Sequence, residues 1–176
     1  MAEKTIHELS EILPDQIFIS SHKTSCDSEL LESKGITHIL SILPQATIAH
    51  PQKFEYKLIT HIEDEKDDEN ADKLSKIFTE SNRFIHECLT QGGRILVHCK
   101  AGKSRSVSLV IAYIMVLTCY GCKQMVSFVK SRRWCAQPNF KFMKVLSDFY
   151  ENIDGEITKI GITEEQAMAA RCQIYC

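Results

Sequence analysis

Hydrophobic and polar positions along the chain follow two alternating patterns. Short apolar runs rich in β-branched residues predict strands at 17–19, 37–43, 54–62 and 94–98. Between and after them, apolar residues recur at the spacing of one helix face, which predicts helices at 71–89, 107–117, 122–132 and 139–153. Ser25 or Asp27 can cap a further short helix that runs through Ser33. Strands that alternate with helices are typical of an α/β fold, so we predict a mostly parallel central sheet flanked by helices on both faces.

The length and composition of the chain suit a single compact domain. It has 176 residues, of which 44% are hydrophobic and 25% charged, and it contains no internal repeat or low-complexity tract. Asp154 and Gly155 interrupt the helical pattern, so we predict a main domain at residues 1–154 and a C-terminal extension at 155–176. Thr163 and Gln166 have the spacing of a helix cap, which predicts that the extension is partly helical.

Net charge and cysteine content limit the expected partners and compartment. A net charge of −2 gives the molecule no overall attraction to nucleic acid or to an anionic membrane. The longest apolar run, residues 109–117, is too short to cross a bilayer, and no lipidation motif is present, so we expect no stable membrane anchor. The eight cysteines are scattered and follow no secretory leader, which favours the cytoplasm, with the nucleus also open. The oligomeric state is left open.

Residues 97–106, with the sequence VHCKAGKSRS, carry the chemistry of the chain. The apolar residues before this segment predict a buried strand and those after it a buried helix, which places the segment on a strand–loop–helix junction. A loop that leads into a helix N-terminus can hold a phosphate dianion with successive backbone N–H groups, while the helix dipole favours the negative charge. We therefore predict that the phosphate of a substrate is bound by Lys100, Ala101, Gly102, Lys103, Ser104 and Arg105.

Three side chains of this segment have the chemistry of covalent phosphate transfer. Cys99 lies at the start of the loop, where the positive field of the helix N-terminus favours a thiolate, so we predict that it is the nucleophile. The planar guanidinium of Arg105 can contact two phosphate oxygens at once, which a lysine could not do. Ser106 can donate its hydroxyl hydrogen to the Cys99 sulfur and stabilise the thiolate when it leaves.

The pattern His98-Cys99-x5-Arg105-Ser106 resembles the signature of the cysteine-dependent protein tyrosine phosphatases, and its surroundings resemble the small dual-specificity branch. The likeness extends from about residue 16 to about residue 150 and includes Pro138-Asn139-Phe140 at the start of a late helix. The resemblance implies that Cys99 is the nucleophile, Arg105 the phosphate clamp and Ser106 the hydroxyl that assists breakdown of the intermediate. It also implies an aspartate general acid on a separate loop, and neither a metal nor a cofactor.

Two aspartates compete for the role of general acid. The family places this residue two positions beyond the last buried residue of the preceding strand, and Asp64 fits that position after Ile62. Counting back about thirty residues from the nucleophile gives Asp68 instead. Placement relative to a strand fixes a carboxylate more directly than placement relative to a helix start, so Asp64 is preferred over Asp68, with Glu63 and Asp67 as lesser alternatives.

These features predict a metal-independent protein phosphatase that hydrolyses phosphotyrosine and phosphoserine or phosphothreonine in protein substrates through a phosphocysteine intermediate. The serious alternative is a phosphoinositide or phospholipid head-group phosphatase of the same superfamily, because Lys100-Ala101-Gly102-Lys103 resembles the loop of those enzymes. An RNA 5′-phosphatase is disfavoured because no basic stripe accompanies the site. A phosphate-binding scaffold without activity is disfavoured because Cys99 and Arg105 are both present.

Three other groups of residues invite functional interpretations. Cys119 and Cys122 have the spacing of a redox pair, but without further ligands for zinc we predict packed, inert thiols. A protective disulfide between the oxidised nucleophile and either Cys26 or Cys88 is a further hypothesis. The segment Arg132-Arg133-Trp134 fits a patch that docks substrate or, as is commoner, a basic helix end that complements the helix dipole.

Overall fold

A computed structural model describes residues 5–45, 47–60, 62 and 71–175, without the side chains of 71–73 and 175. In chain order the helices and strands are β1 (Ser10–Leu13), β2 (Ile17–Ser21), α1 (His22–Ser25), α2 (Ser28–Ser33), β3 (His38–Ile42), β4 (Glu55–Ile59), α3 (Ala71–Thr90), β5 (Ile95–Cys99), α4 (Arg105–Thr118), α5 (Cys122–Arg132), α6 (Phe140–Glu151), α7 (Ile153–Ile160) and α8 (Glu164–Tyr175). This order of elements confirms the α/β prediction.

The described strands form one sheet in the order β1-β2-β5-β3-β4. β2, β5, β3 and β4 are parallel to one another, and β1 pairs with β2 in antiparallel orientation. The prediction of a mostly parallel central sheet is therefore confirmed. β5 is the middle strand, so the segment that follows Cys99 begins near the centre of the carboxyl edge of the sheet, where α/β proteins bind ligands.

Two strands differ from the sequence prediction. β1 is absent from the prediction because a four-residue edge segment is too short to show a recognisable alternation. β4 ends at Ile59, so the predicted strand at 54–62 is too long at its carboxyl end. Ile62 lies outside the strand, but it is buried in the same core cluster as Ile59. Ile62 therefore packs against the same core as the end of β4.

Helices cover both faces of the sheet, as predicted. On one face, α3, α5, α6, α7 and α8 all pack against α4, which is buried along its whole length. On the other face a smaller cluster joins Leu31 of α2 to Phe18, Ile39 and Leu96 of the strands. Burial of one aliphatic side chain contributes roughly 1.5–3 kcal/mol, so the apolar length of α4 fixes the position of its first turn at the sheet edge.

The C-terminal extension is helical and packs on the main domain. α7 begins before the boundary expected after residue 154 and continues through it. Its Glu156 is buried and accepts a hydrogen bond from Thr79 Oγ1 of α3 at 2.6 Å. α8 begins with the predicted cap, in which the Thr163 amide donates to Gln166 Oε1 at 2.9 Å. Within the described ranges no helix is both long and apolar enough to cross a bilayer.

Candidate active site

The segment from Cys99 to Arg105, which we call the phosphate loop, joins β5 to α4 at the carboxyl edge of the sheet. Ser104 is the N-cap residue of α4, but its hydroxyl does not cap the helix and instead accepts a hydrogen bond from the Asn139 amide at 3.1 Å. The first N–H groups of the helix are therefore not satisfied by this side chain, and the positive end of the helix dipole faces the loop. The predicted strand–loop–helix junction is present.

The carbonyl groups of residues 100–104 all accept hydrogen bonds from groups outside the loop. The donors are, in order, the His22 amide, the guanidinium of Arg133 for two carbonyls, the Gln137 amide and the Ser108 amide. A trans peptide unit places its C=O and N–H on opposite sides. The N–H groups that follow these carbonyls therefore point into the loop, where together they can bind an anion.

Cys99 is buried at the base of the phosphate loop. Its sulfur accepts one hydrogen bond from the Gly102 amide at 3.2 Å and another from Ser106 Oγ at 3.3 Å. Hydrogen-bond donors stabilise a negatively charged sulfur more strongly than a neutral thiol. The arrangement therefore suits a thiolate that faces the interior of the loop.

Gly102 occupies a position that other residues could not occupy without strain. Its φ of +66° lies in the left-handed region, and a Cβ placed there would lie 2.4 Å from Ser20 O of β2. The absence of a side chain lets the loop turn directly against the end of the neighbouring strand. This close turn brings the Gly102 amide to the Cys99 sulfur.

Arg105 is buried in the first turn of α4, and its Nη1 donates to Ile62 O at 3.1 Å. This hydrogen bond ties Arg105, which is predicted to bind the phosphate, to the last described residue before the acidic segment. The candidates for the general acid, Asp64 and Asp68, lie outside the described residues, as do Glu63 and Asp67. The choice between them stays a prediction.

The side chains of Lys100 and Lys103 are exposed, although their backbone carbonyls are both hydrogen-bonded. Ala101 is partly buried, and Gly102 and Ser104 are buried. The structure thus brings the predicted phosphate-binding residues together in one turn. Within that turn only the two lysines extend charged side chains toward solvent, where they can reach groups beyond a single phosphate.

His98 precedes Cys99 at the end of β5 and is buried. Its ring stacks on that of His22, with centroids 5.6 Å apart and planes at 19°. Burial, together with the neighbouring charge of His22, lowers the pKa of His98 to about 4. The His98 ring is therefore neutral near pH 7, and it packs against His22, whose amide donates to Lys100 O of the loop.

The sequence prediction missed Arg133. Both interpretations of the basic run at 132–134 are wrong for this residue, because it is buried and its guanidinium binds carbonyls of the phosphate loop. Arg132 does have the predicted place in the last turn of α5, with its guanidinium 5.5 Å from the centroid of the Phe128 ring. Two adjacent arginines give no local signal that one side chain points into the core.

The segment after Arg133 borders the phosphate loop. Gln137 donates its amide hydrogen to Lys103 O at 2.8 Å, and the next contact along the segment is between Asn139 and Ser104. Two large apolar side chains of this segment are exposed, Trp134 at 46% and Phe140 at 84%. The segment that contacts the phosphate loop therefore exposes two aromatic side chains to solvent.

The other described cysteines are free thiols in varied surroundings. Cys122 is buried, as predicted for a packed residue, and Cys119 is partly buried. Cys88 is buried, which raises the pKa of its thiol to about 11, and Cys26 is exposed. In the part of the chain that the structure describes, no group of three or more His, Cys, Asp or Glu residues is placed to hold a metal ion.

Comparison with known proteins identifies the family. The sequence model described as dual specificity phosphatase, catalytic domain, matches residues 17–152. The chain is 41% identical over 141 residues to dual specificity protein phosphatase 22 of Xenopus tropicalis, an alignment that covers 80% of this chain and 64% of the frog protein. It is also 41% identical over 143 residues to the mouse protein of the same name, covering 80% of this chain and 73% of that one. The chain thus spans less than two thirds of the length of the frog relative.

The solved structures agree with the sequence comparison. The crystal structure of DUSP15 matches with a TM-score of 0.76 at 29% identity, covering 88% of this chain and 96% of that one. The family match includes the phosphate loop, the two donors to the Cys99 sulfur and the segment that borders them. The chain belongs to the dual-specificity phosphatase family.

Proposed function

We propose that this protein hydrolyses phosphate monoesters on proteins through a phosphocysteine intermediate. The observation that carries the proposal is the position of the Cys99 sulfur at the base of a loop whose N–H groups point inward, with the Gly102 amide and Ser106 hydroxyl donating to it. A nucleophile and an anion-binding cradle thus occupy one place. Family membership supports the same chemistry.

In the first step, the phosphate dianion binds to the inward N–H groups and to the Arg105 guanidinium. The Cys99 thiolate attacks phosphorus in line with the ester bond, so that a sulfur–phosphorus bond forms as the bond to the leaving oxygen breaks. The leaving oxygen takes a proton from a carboxylic acid, for which we propose Asp64 and, as the alternative, Asp68. Asp64 is supported by the hydrogen bond that fixes Ile62 O to Arg105, two residues before it.

In the second step, water attacks the phosphocysteine and releases inorganic phosphate. The carboxylate left by the first step accepts a proton from this water, and the sulfur departs as a thiolate. Ser106 lies 3.3 Å from the sulfur and stabilises that thiolate with its hydroxyl hydrogen. The bonds and protons of the two steps balance with the substrate, water and groups of this chain alone.

We infer phosphorylated proteins as substrates, with phosphotyrosine and phosphoserine or phosphothreonine both accepted. The two exposed aromatic residues of the segment that contacts the phosphate loop support this inference, because Trp134 and Phe140 can contact side chains of a bound peptide. The exposed Lys100 and Lys103 favour the competing head-group substrate, whose additional phosphates could reach them. The scattered cysteines support a cytoplasmic or nuclear location as a further proposal.

The proposal is tested with the purified chain in the presence of a metal chelator. We expect turnover of phosphotyrosine and phosphothreonine peptides. When the peptide carries radioactive phosphate, quenching the reaction with acid should leave labelled phosphate covalently bound to Cys99. Cys99→Ser should abolish turnover while retaining binding of the phosphopeptide, because serine keeps the shape of the loop without a thiolate. Cys172→Ser, which changes an exposed thiol on α8, is the matched control and should remain active.

Full activity of Cys99→Ser would contradict the proposed nucleophile. A panel of soluble phosphoinositides assayed beside the peptides decides between the two substrate classes. Turnover of head groups with no turnover of any phosphopeptide would replace the protein substrate with the lipid one while leaving the covalent mechanism intact.

A further inference from the structure

Arg133 is a buried cation whose donors all face neutral groups. It follows the last turn of α5, and its side chain has 1% exposure. Nε donates to Gly102 O at 2.6 Å and Nη2 to Ala101 O at 3.3 Å. The remaining donor contacts are with Ile6 O, Glu8 O and Ser10 Oγ, each at 2.9 Å, and with Ile19 O at 3.4 Å.

No carboxylate forms an ion pair with Arg133 in the described ranges. Burial lowers the pKa of Arg133, and the charges of Cys135, Cys99 and Glu8 offset part of that shift. An arginine nevertheless stays protonated at neutral pH. Among the described residues, Arg133 therefore has no carboxylate within ion-pair distance, and a buried charge without a close counter-ion is costly unless an anion lies near it. Besides Glu8 and Cys135, the Cys99 thiolate and a phosphate bound in the loop are anions that this charge can stabilise.

One peptide unit connects Arg133 to the nucleophile. Its carbonyl, Ala101 O, accepts from Arg133, and its N–H, on Gly102, donates to the Cys99 sulfur. The next unit has the same orientation, because Gly102 O accepts from Nε and the Lys103 N–H must then point to the opposite side, into the loop. A cation at the carbonyl also polarises the peptide unit and makes its N–H a stronger donor.

The far side of the guanidinium is held by the N-terminal segment. Ile6 and Glu8 supply carbonyls, and Ser10 at the start of β1 supplies its hydroxyl. Because these contacts fix the plane of the guanidinium, they also fix the direction of the two donors that reach the phosphate loop. The start of the chain and the end of α5 thus meet at one side chain behind the nucleophile.

We propose that Arg133 is a positioning residue of the phosphate site, which holds the 101–102 and 102–103 peptide units with their N–H groups toward Cys99 and the bound phosphate. Its permanent charge adds to the field of the helix dipole at the same place. This inference rests on the proposed function, since it assigns Arg133 a part in binding the phosphate and its transition state. Arg133 acts through the backbone and does not touch the substrate.

Two substitutions separate the charge of Arg133 from its geometry. Methionine has a similar length but supplies neither charge nor donors. Lysine keeps the charge but concentrates its donors at one point, so it cannot hold two carbonyls in a planar fork. Arg132→Met is the matched control, because Arg132 is the adjacent residue, is exposed and stacks on Phe128.

The experiment measures kcat and KM for an aryl phosphate, together with the Kd of orthovanadate, which mimics five-coordinate phosphorus. We expect Arg133→Met to lower kcat/KM and to weaken orthovanadate binding by about a hundredfold, and Arg133→Lys by about tenfold. Arg132→Met should stay within about twofold of the wild-type chain. The midpoint pH of Cys99 alkylation by iodoacetamide should also move upward in Arg133→Met, which a merely structural role would not cause.

A folded Arg133→Met protein with wild-type orthovanadate affinity and an unchanged alkylation profile would overturn the inference. Circular dichroism establishes whether the variant is folded. If Arg133→Met does not fold, Arg133→Lys decides, and wild-type affinity in that variant overturns the inference equally. If the wild-type chain binds orthovanadate but hydrolyses no phosphopeptide, the proposed function is contradicted. The orthovanadate affinities of the wild type and the Arg133 variants can still be compared in that case.

Discussion

Ser106 directs its hydroxyl at the sulfur of Cys99 over a distance of 3.3 Å. Because this donor stabilises the thiolate, its loss should slow the step in which the sulfur leaves phosphorus. We expect Ser106→Ala to lower kcat by about ten- to a hundredfold. Rapid-quench kinetics with an aryl phosphate should then show a burst of released alcohol equal to the enzyme concentration. An unchanged kcat without a burst would show that Ser106 does not assist breakdown of the intermediate.

Arg105→Lys should impair both binding and rate. One ammonium cannot supply the bidentate contact of a guanidinium, and it also cannot hold Ile62 O and a phosphate in the same geometry. We expect KM for a phosphopeptide to rise and kcat to fall, with a combined loss of about a hundredfold or more in kcat/KM. Arg94→Lys, at the amino end of β5, is a surface control that should leave both constants unchanged. Wild-type kinetics in Arg105→Lys would show that Arg105 does not face the phosphate.

The exposed lysines of the phosphate loop separate the two substrate classes. Lys100→Ala combined with Lys103→Ala should leave turnover of phosphopeptides within about tenfold of the wild-type value, which corresponds to ~1.4 kcal/mol of transition-state energy. Activity on polyphosphorylated head groups should fall much further. Lys123→Ala with Lys130→Ala, on the exposed face of α5, is the matched double control. Loss of all phosphopeptide activity with retained head-group turnover would contradict the protein substrate.

The general acid is identified by its dependence on the leaving group. Asp64→Asn should slow hydrolysis of phosphotyrosine or phosphothreonine by about a hundredfold, but an aryl phosphate with a strongly acidic leaving group should be affected less. The basic limb of the pH–rate profile should flatten, whereas the acidic limb should remain. Asp68→Asn serves as the comparison and should have little effect. The reverse result for the two variants would assign the role to Asp68.

The buried ring of His98 makes stability depend on pH. Its pKa is about 4 in the folded protein against 6.5 for an ordinary histidine. Between these values the unfolded chain binds a proton that the folded protein does not, so the free energy of unfolding falls as the pH decreases from about 6.5 to about 4. The loss from this residue amounts to about 3 kcal/mol.

Urea denaturation at pH 7 and at pH 5 measures this effect. His98→Gln should lose less stability than the wild-type chain between the two pH values. The lowered pKa of His86 acts in the same direction in both proteins, so its contribution cancels in the comparison. Equal losses in the wild type and the variant would show that His98 is not the titrating group.

Sequence patterns predicted those elements whose formation depends on residues that are neighbours in the chain. The phosphate loop and α4 follow from a contiguous motif and a long apolar run, and the cap of α8 follows from Thr163 and Gln166. β1 could not be predicted because its pairing depends on β2 rather than on its own four residues. The role of Arg133 could not be predicted because the acceptors of its guanidinium are at least 31 residues away in the chain, so nothing near it marks the side chain as buried.

The contacts of Arg133 also determine when the phosphate site can be completed during synthesis of the chain. The hydrogen bond to Ile6 O joins residues that are 127 positions apart. Closing a loop of this length costs chain entropy, and the contact can form only after Arg133 has been synthesised. A nascent chain that has completed β5 and α4 already carries the whole signature motif, but it still lacks the end of α5. The backbone carbonyls of the phosphate loop therefore lack two of their hydrogen-bond donors until the ribosome has moved past the end of α5.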